Sequence, residues 1–389
     1  MFLINLIKIF LRPQYWLIFF KGITKLQSIK SRQYDIIFFF PFYHIGGAER
    51  VHIDILHAIP EARKLIIFTN ISRNNKLLEE FSSKSAILDL GFCLSKKYLN
   101  FFVVNLLVST VNKLNPKYVY GCNSKLYYQI LPAINPSILK FDLIHAFSDN
   151  IEAAEHWSLP VVKYLDKRAL ISHKAIQELS ELYISNSIPE EYIKNIVFIS
   201  NGINVPSTLI EKKYSNERLD VIYIGRASPE KRIKIIEKVS SKLSNHDIFF
   251  TYVGFIPDEV NTLSSNSNYL GEINDQDALR ELYTNSDVLI LSSNREGFPM
   301  VIMEAMSYGC IPLCTAVGDI PNRLENNKNA LLINSNNELE IIELFSHKLI
   351  QLKKDILLRK ELSLNAYEQS KEFDIKTFNE SYRDLFKIA

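Results

Sequence analysis

Glu296 and Glu304 are separated by seven residues in Glu296-Gly-Phe-Pro-Met-Val-Ile-Met-Glu304, and two carboxylates so spaced can serve one ligand. Gly297 permits a sharp turn, and Pro299 suits the first turn of a helix, where an amide has no intrahelical partner anyway. A helix opening there, next to Gly297, Phe298 and Pro299, starts with free amides and the positive end of its dipole, a ready site for phosphate. Glu296 then lies in the loop before the helix and Glu304 nearly two turns in. Each carboxylate accepts hydroxyl protons in fixed geometry, which suits a sugar. The plainer roles are a first-turn acid for Glu296 and a solvated helix residue for Glu304. Ile302, Met303, Ala305 and Met306 flank Glu304, however, and an unpaired acid in apolar surroundings is costly. A ligand role is the expectation.

Arg226 follows a strand-like run, Leu219-Asp-Val-Ile-Tyr-Ile-Gly225, and Lys231 opens the helical pattern after it. Two cations so placed can neutralise a diphosphate, Arg as a fork and Lys as a point charge. They can equally be a surface Arg and a Lys paired with Glu230. Gly46 and Gly47 follow an earlier apolar run, where they either admit a ligand to the backbone and helix amides or make a plain tight turn. His145 ends Phe141-Asp-Leu-Ile-His145; a lone strand-end histidine is more often structural. Cys93, Cys122, Cys310 and Cys314 are too few and too irregular for a disulfide framework. Cys310 and Cys314, read as sharing a helical face, make at most half a metal site, so no metal is expected.

These residues need strand ends to carry them. Buried strands are expected at Asp35–Phe40, Lys64–Phe68, Ala86–Leu90, Tyr118–Tyr120, Phe141–His145 and Val197–Ser200, with helical stretches between most of them. After a polar, non-periodic stretch the alternation restarts at Leu219–Ile224, with a helix over Lys231–Leu243. Strands then follow at Ile248–Val253, Asp287–Ser292, Ile311–Thr315 and Ala330–Ile333. The pattern predicts an α/β fold of two Rossmann-like doubly wound parallel-sheet domains facing across a cleft. Ligands on such sheets bind at the carboxyl ends of the strands. The divisions expected are a segment 1–33, an N-terminal domain 34–205 and a linker 206–218. A C-terminal domain 219–372 and a helix 373–389 returning to the first domain complete them.

At 389 residues, 47% hydrophobic and 23% charged, the chain suits two globular domains. A net charge of +2 gives no reason to expect nucleic acid. Before Asp35, however, Lys8, Arg12, Lys21, Lys25, Lys30 and Arg32 occur with no carboxylate, interleaved with apolar and aromatic residues. Lys8, Arg12 and Pro13 break that run too early for a membrane span. It suits an amphipathic segment on an anionic membrane surface, or a helix packed on the first domain. A cytoplasmic setting, peripheral on the inner face of the cell membrane, is expected.

The glutamate pair, with Gly297-Phe298 after the first Glu and then Ala305-Met306, Gly309 and Pro312, resembles the signature of family 4 (group 1) glycosyltransferases, which have the GT-B fold. Gly225-Arg226 and Lys231 resemble the same family's cation segment, and Ser200-Asn-Gly-Ile-Asn204 its Asn-Gly-Ile-Asp segment. Asn204 replaces the usual Asp in what reads as hinge structure with room for a donor contact; Asp319, Asn322 and Ala330 also depart from the usual pattern, which touches the shape of the sugar pocket and not the reaction class. The resemblance runs from about Ile36 to the last helix.

It implies transfer with retained anomeric configuration, without metal or other cofactor, from a UDP- or GDP-sugar to a saccharide acceptor. A polyprenyl-diphosphate-linked acceptor, as in bacterial surface polysaccharide assembly, would suit a membrane-surface enzyme. Glu296, His145, Arg226 and Lys231 are then the catalytic set. Gly46, Gly47, Arg226, Lys231, Gly297, Phe298, Pro299 and Glu304 contact the donor. The resemblance also implies an acceptor side for the first domain and nucleotide-sugar binding for the second. The alternatives are a GT-B-fold sugar-nucleotide epimerase or phosphorylase and a non-catalytic membrane-surface scaffold.

Overall fold

The computed structural model describes residues 29, 31–44, 46–145, 147, 151–210, 212, 214, 217–254, 264–273 and 275–388. The basic segment 1–33 lies almost wholly outside them. No helix among the described residues is long and apolar enough to cross a membrane.

The chain divides into two compact units. The first holds the described residues up to Ile171, Ala175–Ile199 and those of Asn379–Ala389; the second holds Ser172–Lys174 and Ser200–Phe378. The division therefore falls ahead of the stretch expected to be a linker. Lys212, within that stretch, donates to the Tyr283 and Ser286 carbonyls, and so belongs physically to the second unit. The helix Ile375–Leu385 starts in the second unit and continues into the first.

The first unit is a sheet of seven strands, β1 (Ile36–Phe40), β2 (Lys64–Phe68), β3 (Ala86–Asp89), β4 (Tyr118–Cys122), β5 (Leu139–Ile144), β6 (Lys167–Leu170) and β7 (Ile196–Phe198). They run parallel in the order β3-β2-β1-β4-β5-β6-β7. Every residue of β1 is fully buried, because both faces of a parallel sheet are covered; the strand is thus a continuous apolar run. Phe386 packs on Phe38, Tyr118, Tyr120 and Phe141, which seats the C-terminal helix on this sheet.

In the second unit, β8 (Leu219–Ile224), β9 (Ile248–Val253), β10 (Ser267–Tyr269), β11 (Val288–Leu291), β12 (Ile311–Thr315) and β13 (Leu331–Ile333) form a parallel sheet ordered β10-β9-β8-β11-β12-β13. Cys310 and Cys314 thus flank and occupy a strand, not a helix face. The Cys310 thiol bonds to the Tyr283 and Ser286 carbonyls at 2.9 and 3.0 Å. The helix expected from Lys231 begins at Ile233 instead, after a 3-10 turn Pro229–Lys231. Arg232 sits between them at φ 47°, a left-handed conformation that interrupts a helix. Gly254, at φ 122°, closes β9 so tightly that a Cβ would lie 2.0 Å from the Gly225 carbonyl oxygen.

In each sheet the strand order reverses once, between β1 and β4 and between β8 and β11. The crevice at the carboxyl ends of such a pair is where open α/β sheets bind ligands. In the first unit, β5 is anchored to β6 by a buried ion pair. Arg168 on β6 donates from Nε to both Asp142 oxygens at 3.0 Å and from Nη2 to Oδ2 at 2.5 Å. The Tyr128 hydroxyl adds a bond to Oδ2 at 2.9 Å, and the two charged side chains are 2% and 0% exposed. Removing one member leaves a buried charge uncompensated. Arg168→Met is expected to cost the first unit about 3–5 kcal/mol in urea unfolding; a loss under about 1 kcal/mol would show that the pair does not hold β5 to β6.

Candidate active site

Around the switch point of the second sheet, the loops after β8 and β11 are tied together. Arg232 donates from Nε to the Ser292 carbonyl at 2.7 Å and from Nη2 to the Ser293 carbonyl at 3.1 Å. In return the Ser292 hydroxyl donates to the Lys231 and Arg232 carbonyls, both at 2.9 Å. Asn294 N–H reaches the Glu230 carbonyl at 2.8 Å, and Thr315 donates to the Ser293 carbonyl.

This lattice sets Lys231 against Glu296. Lys231 Nζ donates to Glu296 Oε1 at 2.5 Å, and the Ser293 hydroxyl donates to the same oxygen at 2.6 Å. The lysine side chain is 25% exposed and the glutamate 9%. Lys231 is therefore not paired with Glu230, whose carboxylate takes the Ser228 hydroxyl at 2.5 Å. Gly318, at φ 62°, admits the loop after β12: a Cβ there would lie 1.8 Å from the Glu296 carbonyl oxygen. Asp319 N–H closes the contact onto the Gly297 carbonyl at 3.0 Å.

Pro299 is the N-cap of the helix Met300–Ser307, so Glu296 stands in the loop ahead of it and Glu304 is its fifth residue. Glu304 is half-buried, and the Tyr283 hydroxyl donates to its Oε2 at 2.9 Å. The acid is thus anchored rather than unpaired, and burial raises the Tyr283 hydroxyl well above its ordinary range, keeping it a donor. Arg226 is exposed beyond the end of β8, and its carbonyl accepts the Tyr223 hydroxyl at 3.0 Å. Phe298, expected to face a donor, is buried instead, its ring 5.2 Å from Phe373 with the Arg323 guanidinium 4.9 Å away. Its side chain supports the loop from behind. Asn201 is buried, and Gly202 is pressed on the helix start, where a Cβ would lie 2.9 Å from the Ile375 Cα.

In the first unit the two glycines part company. Gly46, the N-cap of the helix Gly47–Ala58, is extended, and a Cβ on it would lie 2.1 Å from Glu49 Oε2. Its missing side chain makes room for that buried carboxylate, which faces His44 at 3.8 Å. Among the described residues nothing lies within 4 Å of a Cβ added at Gly47, whose surroundings are the more open of the two.

His145, just past β5, is half-buried beside His52 and Cys122. His52 Nε2 lies 3.1 Å from His145 Nε2 and 2.9 Å from the Cys122 sulfur. His52 is wholly buried, stacked on Phe40 with ring centroids 4.1 Å apart. Burial, reinforced by His145, pushes His52 well below the usual histidine range, and burial pushes His145 down to about 4. Burial raises the Cys122 thiol, with Asp142 and Glu49 adding to it. Among the described residues these three are the group whose ligand atoms, all within 4.8 Å of one another, could hold a metal ion. A ligating histidine ordinarily donates its other ring N–H to a partner. Among the described residues none partners the buried His52 Nδ1, so the trio fits a neutral hydrogen-bonded cluster better than a metal centre.

Tyr283, Ser293, Arg232, His52 and Cys122 were not singled out by sequence reasoning. Arg232 adjoins Lys231 and could have been flagged; the others carry no local signal.

Residues 208–369 match the family model described as glycosyl transferases group 1. Among curated proteins, the chain is 26% identical over 225 residues to N-acetyl-alpha-D-glucosaminyl L-malate synthase of Bacillus anthracis, covering 54% of this chain and 55% of that protein. It is 24% identical over 227 residues to the GalNAc-alpha-(1->4)-GalNAc-alpha-(1->3)-diNAcBac-PP-undecaprenol alpha-1,4-N-acetyl-D-galactosaminyltransferase of Campylobacter jejuni, covering 55% of this chain and 61% of that protein. The chain thus spans little more than half the length of these relatives. Among solved structures, HepE of Anabaena in complex with UDP has a TM-score of 0.70 at 18% identity, covering 91% of this chain and 100% of that one. WaaG, a glycosyltransferase involved in lipopolysaccharide biosynthesis, has a TM-score of 0.67 at 14% identity, with coverage of 91% and 100%.

The buried histidines give the first unit a pH signature. Unfolded, both would titrate near the ordinary histidine value of about 6.5, whereas folded they stay neutral to lower pH. Below about 6.5 the unfolded chain binds more protons, so stability is complete above that value and lost as pH falls toward about 4. The first unit's melting temperature is expected to fall by roughly 5 °C across this window. A flat profile, or one unchanged in His52→Phe, would contradict the assignment.

Proposed function

We propose that this chain, whose residues 208–369 form a glycosyl transferases group 1 domain on a GT-B fold, moves a sugar from a nucleoside diphosphate sugar to a saccharide acceptor. Transfer retains the anomeric configuration and needs no metal. The observation that carries this reading is the Lys231–Glu296 pair at the switch point of the second sheet.

Lys231 has three N–H donors and gives one to Glu296, which leaves the others for diphosphate oxygens. Arg226, on the same loop, offers its fork, and the free amides at the start of the helix Met300–Ser307 add a third source of positive potential. Together they stabilise the charge that grows on the diphosphate as its bond to the sugar breaks, the role a metal takes in other enzymes. Both contacts to Glu296 land on Oε1, so Oε2 is directed to the donor sugar's hydroxyls. Glu304, held by Tyr283, is assigned to the nucleotide ribose, and His145 to positioning the transferred sugar. The acceptor oxygen bonds to the anomeric carbon on the face the diphosphate leaves. Its proton passes to the departing phosphate, so no protein base is required.

UDP or GDP is the proposed nucleotide, supported by the UDP held in the HepE structure. A polyprenyl-diphosphate-linked saccharide on the inner face of the cell membrane is the proposed acceptor. It is supported by the Campylobacter relative's named substrate, by WaaG's role in lipopolysaccharide biosynthesis and by the basic aromatic segment 1–33.

With a panel of UDP- and GDP-sugars, Lys231→Ala, Glu296→Ala and Arg226→Ala are each expected to raise the transfer barrier by about 2–4 kcal/mol. The product's anomeric coupling constants should match the donor's configuration. Near-normal turnover in Lys231→Ala would overturn the diphosphate assignment, an inverted product the retaining course, and donor isomerised without acceptor would point to an epimerase.

A further inference from the structure

We infer that His52 fixes His145 as its Nδ1–H tautomer, so that His145 meets the substrate as a hydrogen-bond donor and not as a proton acceptor. The inference rests on the reading that His145 attends the transferred sugar and names what it does there.

A neutral imidazole carries one proton, on one nitrogen or the other. On His52 Nδ1 it would be a buried donor, and that atom makes no hydrogen bond among the described residues. Either form leaves this buried nitrogen unpaired, but an orphaned buried N–H is rarer in folded proteins than an under-satisfied acceptor, which favours a bare Nδ1. On Nε2 the proton has two acceptors within reach, His145 Nε2 at 3.1 Å and the Cys122 sulfur at 2.9 Å. Stacking on Phe40, at an interplanar angle of 3°, holds the ring in this orientation. His52 therefore carries its proton on Nε2.

The consequence passes to His145. Two N–H groups cannot point at each other across 3.1 Å, so His145 Nε2 must be bare and its proton must sit on Nδ1. Of the two acceptors, an imidazole nitrogen is much stronger than a thiol sulfur, so the bond to His145 takes the larger share. Free histidine in water prefers the opposite form, with the proton on Nε2. The fold thus reverses that preference at this position, with His52 as the positioning residue. His145 Nδ1–H then donates to an oxygen of the bound sugar.

The test uses the full chain with 15N-labelled histidine. Long-range 1H–15N correlation should show His145 protonated on Nδ1 and bare on Nε2; the reverse pattern overturns the inference. In His52→Phe, which keeps the stacked ring and removes the donor, His145 is expected to shift toward the Nε2–H form. Turnover should then fall about tenfold while the KM for the donor changes less than twofold. His52→Gln, which returns an N–H to that position, should restore both. A His145 tautomer unchanged in His52→Phe overturns the proposal, and if that variant fails to fold, the wild-type tautomer decides alone. Should the tautomer be as stated while His145→Ala transfers at the normal rate, the reading of His145 as a sugar contact fails and the tautomer assignment stands.

Discussion

One ion pair organises the second unit's site. Lys231 and Glu296 come from different strand ends, 65 positions apart in the chain, and neither carries its charge into a dry interior unaccompanied. Glu296 is nearly buried and would be costly to desolvate alone; Lys231 and the Ser293 hydroxyl share that load on one oxygen. The pair is also what the surrounding lattice presents. Arg232 clamps the carbonyls of Ser292 and Ser293, Ser292 clamps those of Lys231 and Arg232, and Gly318 lets the loop after β12 approach the Glu296 backbone. A ligand entering such a site meets a cation and an anion already positioned, so little reorganisation remains when negative charge develops on it.

The first unit meets the same topological requirement with opposite electrostatics. At its switch point stand His52, His145 and Cys122, each kept uncharged by burial. Charge lies beside them, in the buried Glu49 carboxylate and in the Arg168–Asp142 pair that joins β5 to β6. A neutral cluster leaves its donors and acceptors fixed in direction without attracting counterions, which suits the recognition of hydroxyls. The charged site suits a phosphate.

Much of this was legible in the residues. Strands buried on both faces are apolar runs, and β1, β2, β8 and β9 were read nearly to their ends. The glutamate spacing and the Gly225-Arg226…Lys231 segment pointed to one sheet's strand ends, and the structure pairs Lys231 with Glu296 there. Other features were hidden for physical reasons. β6 opens Lys167-Arg168, and nothing local shows that a guanidinium is buried against Asp142, 26 residues away. β10, Ser267–Tyr269, is a short, polar edge strand with no apolar run to announce it. Gly46 looked like a ligand glycine but makes room for Glu49, and Phe298 sat inside the strongest motif yet faces the core. The trio around His145 is assembled over 70 and 93 positions, beyond any periodicity.

The claim that the Lys231–Glu296 pair grips a diphosphate is tested most directly by calorimetric titration of nucleoside diphosphate and monophosphate against wild type and Lys231→Ala. The account requires the diphosphate to lose at least tenfold in affinity, about 1.4 kcal/mol, while the monophosphate binds both proteins equally. Equal loss for both ligands, or none for either, would place the lysine's charge elsewhere and contradict it.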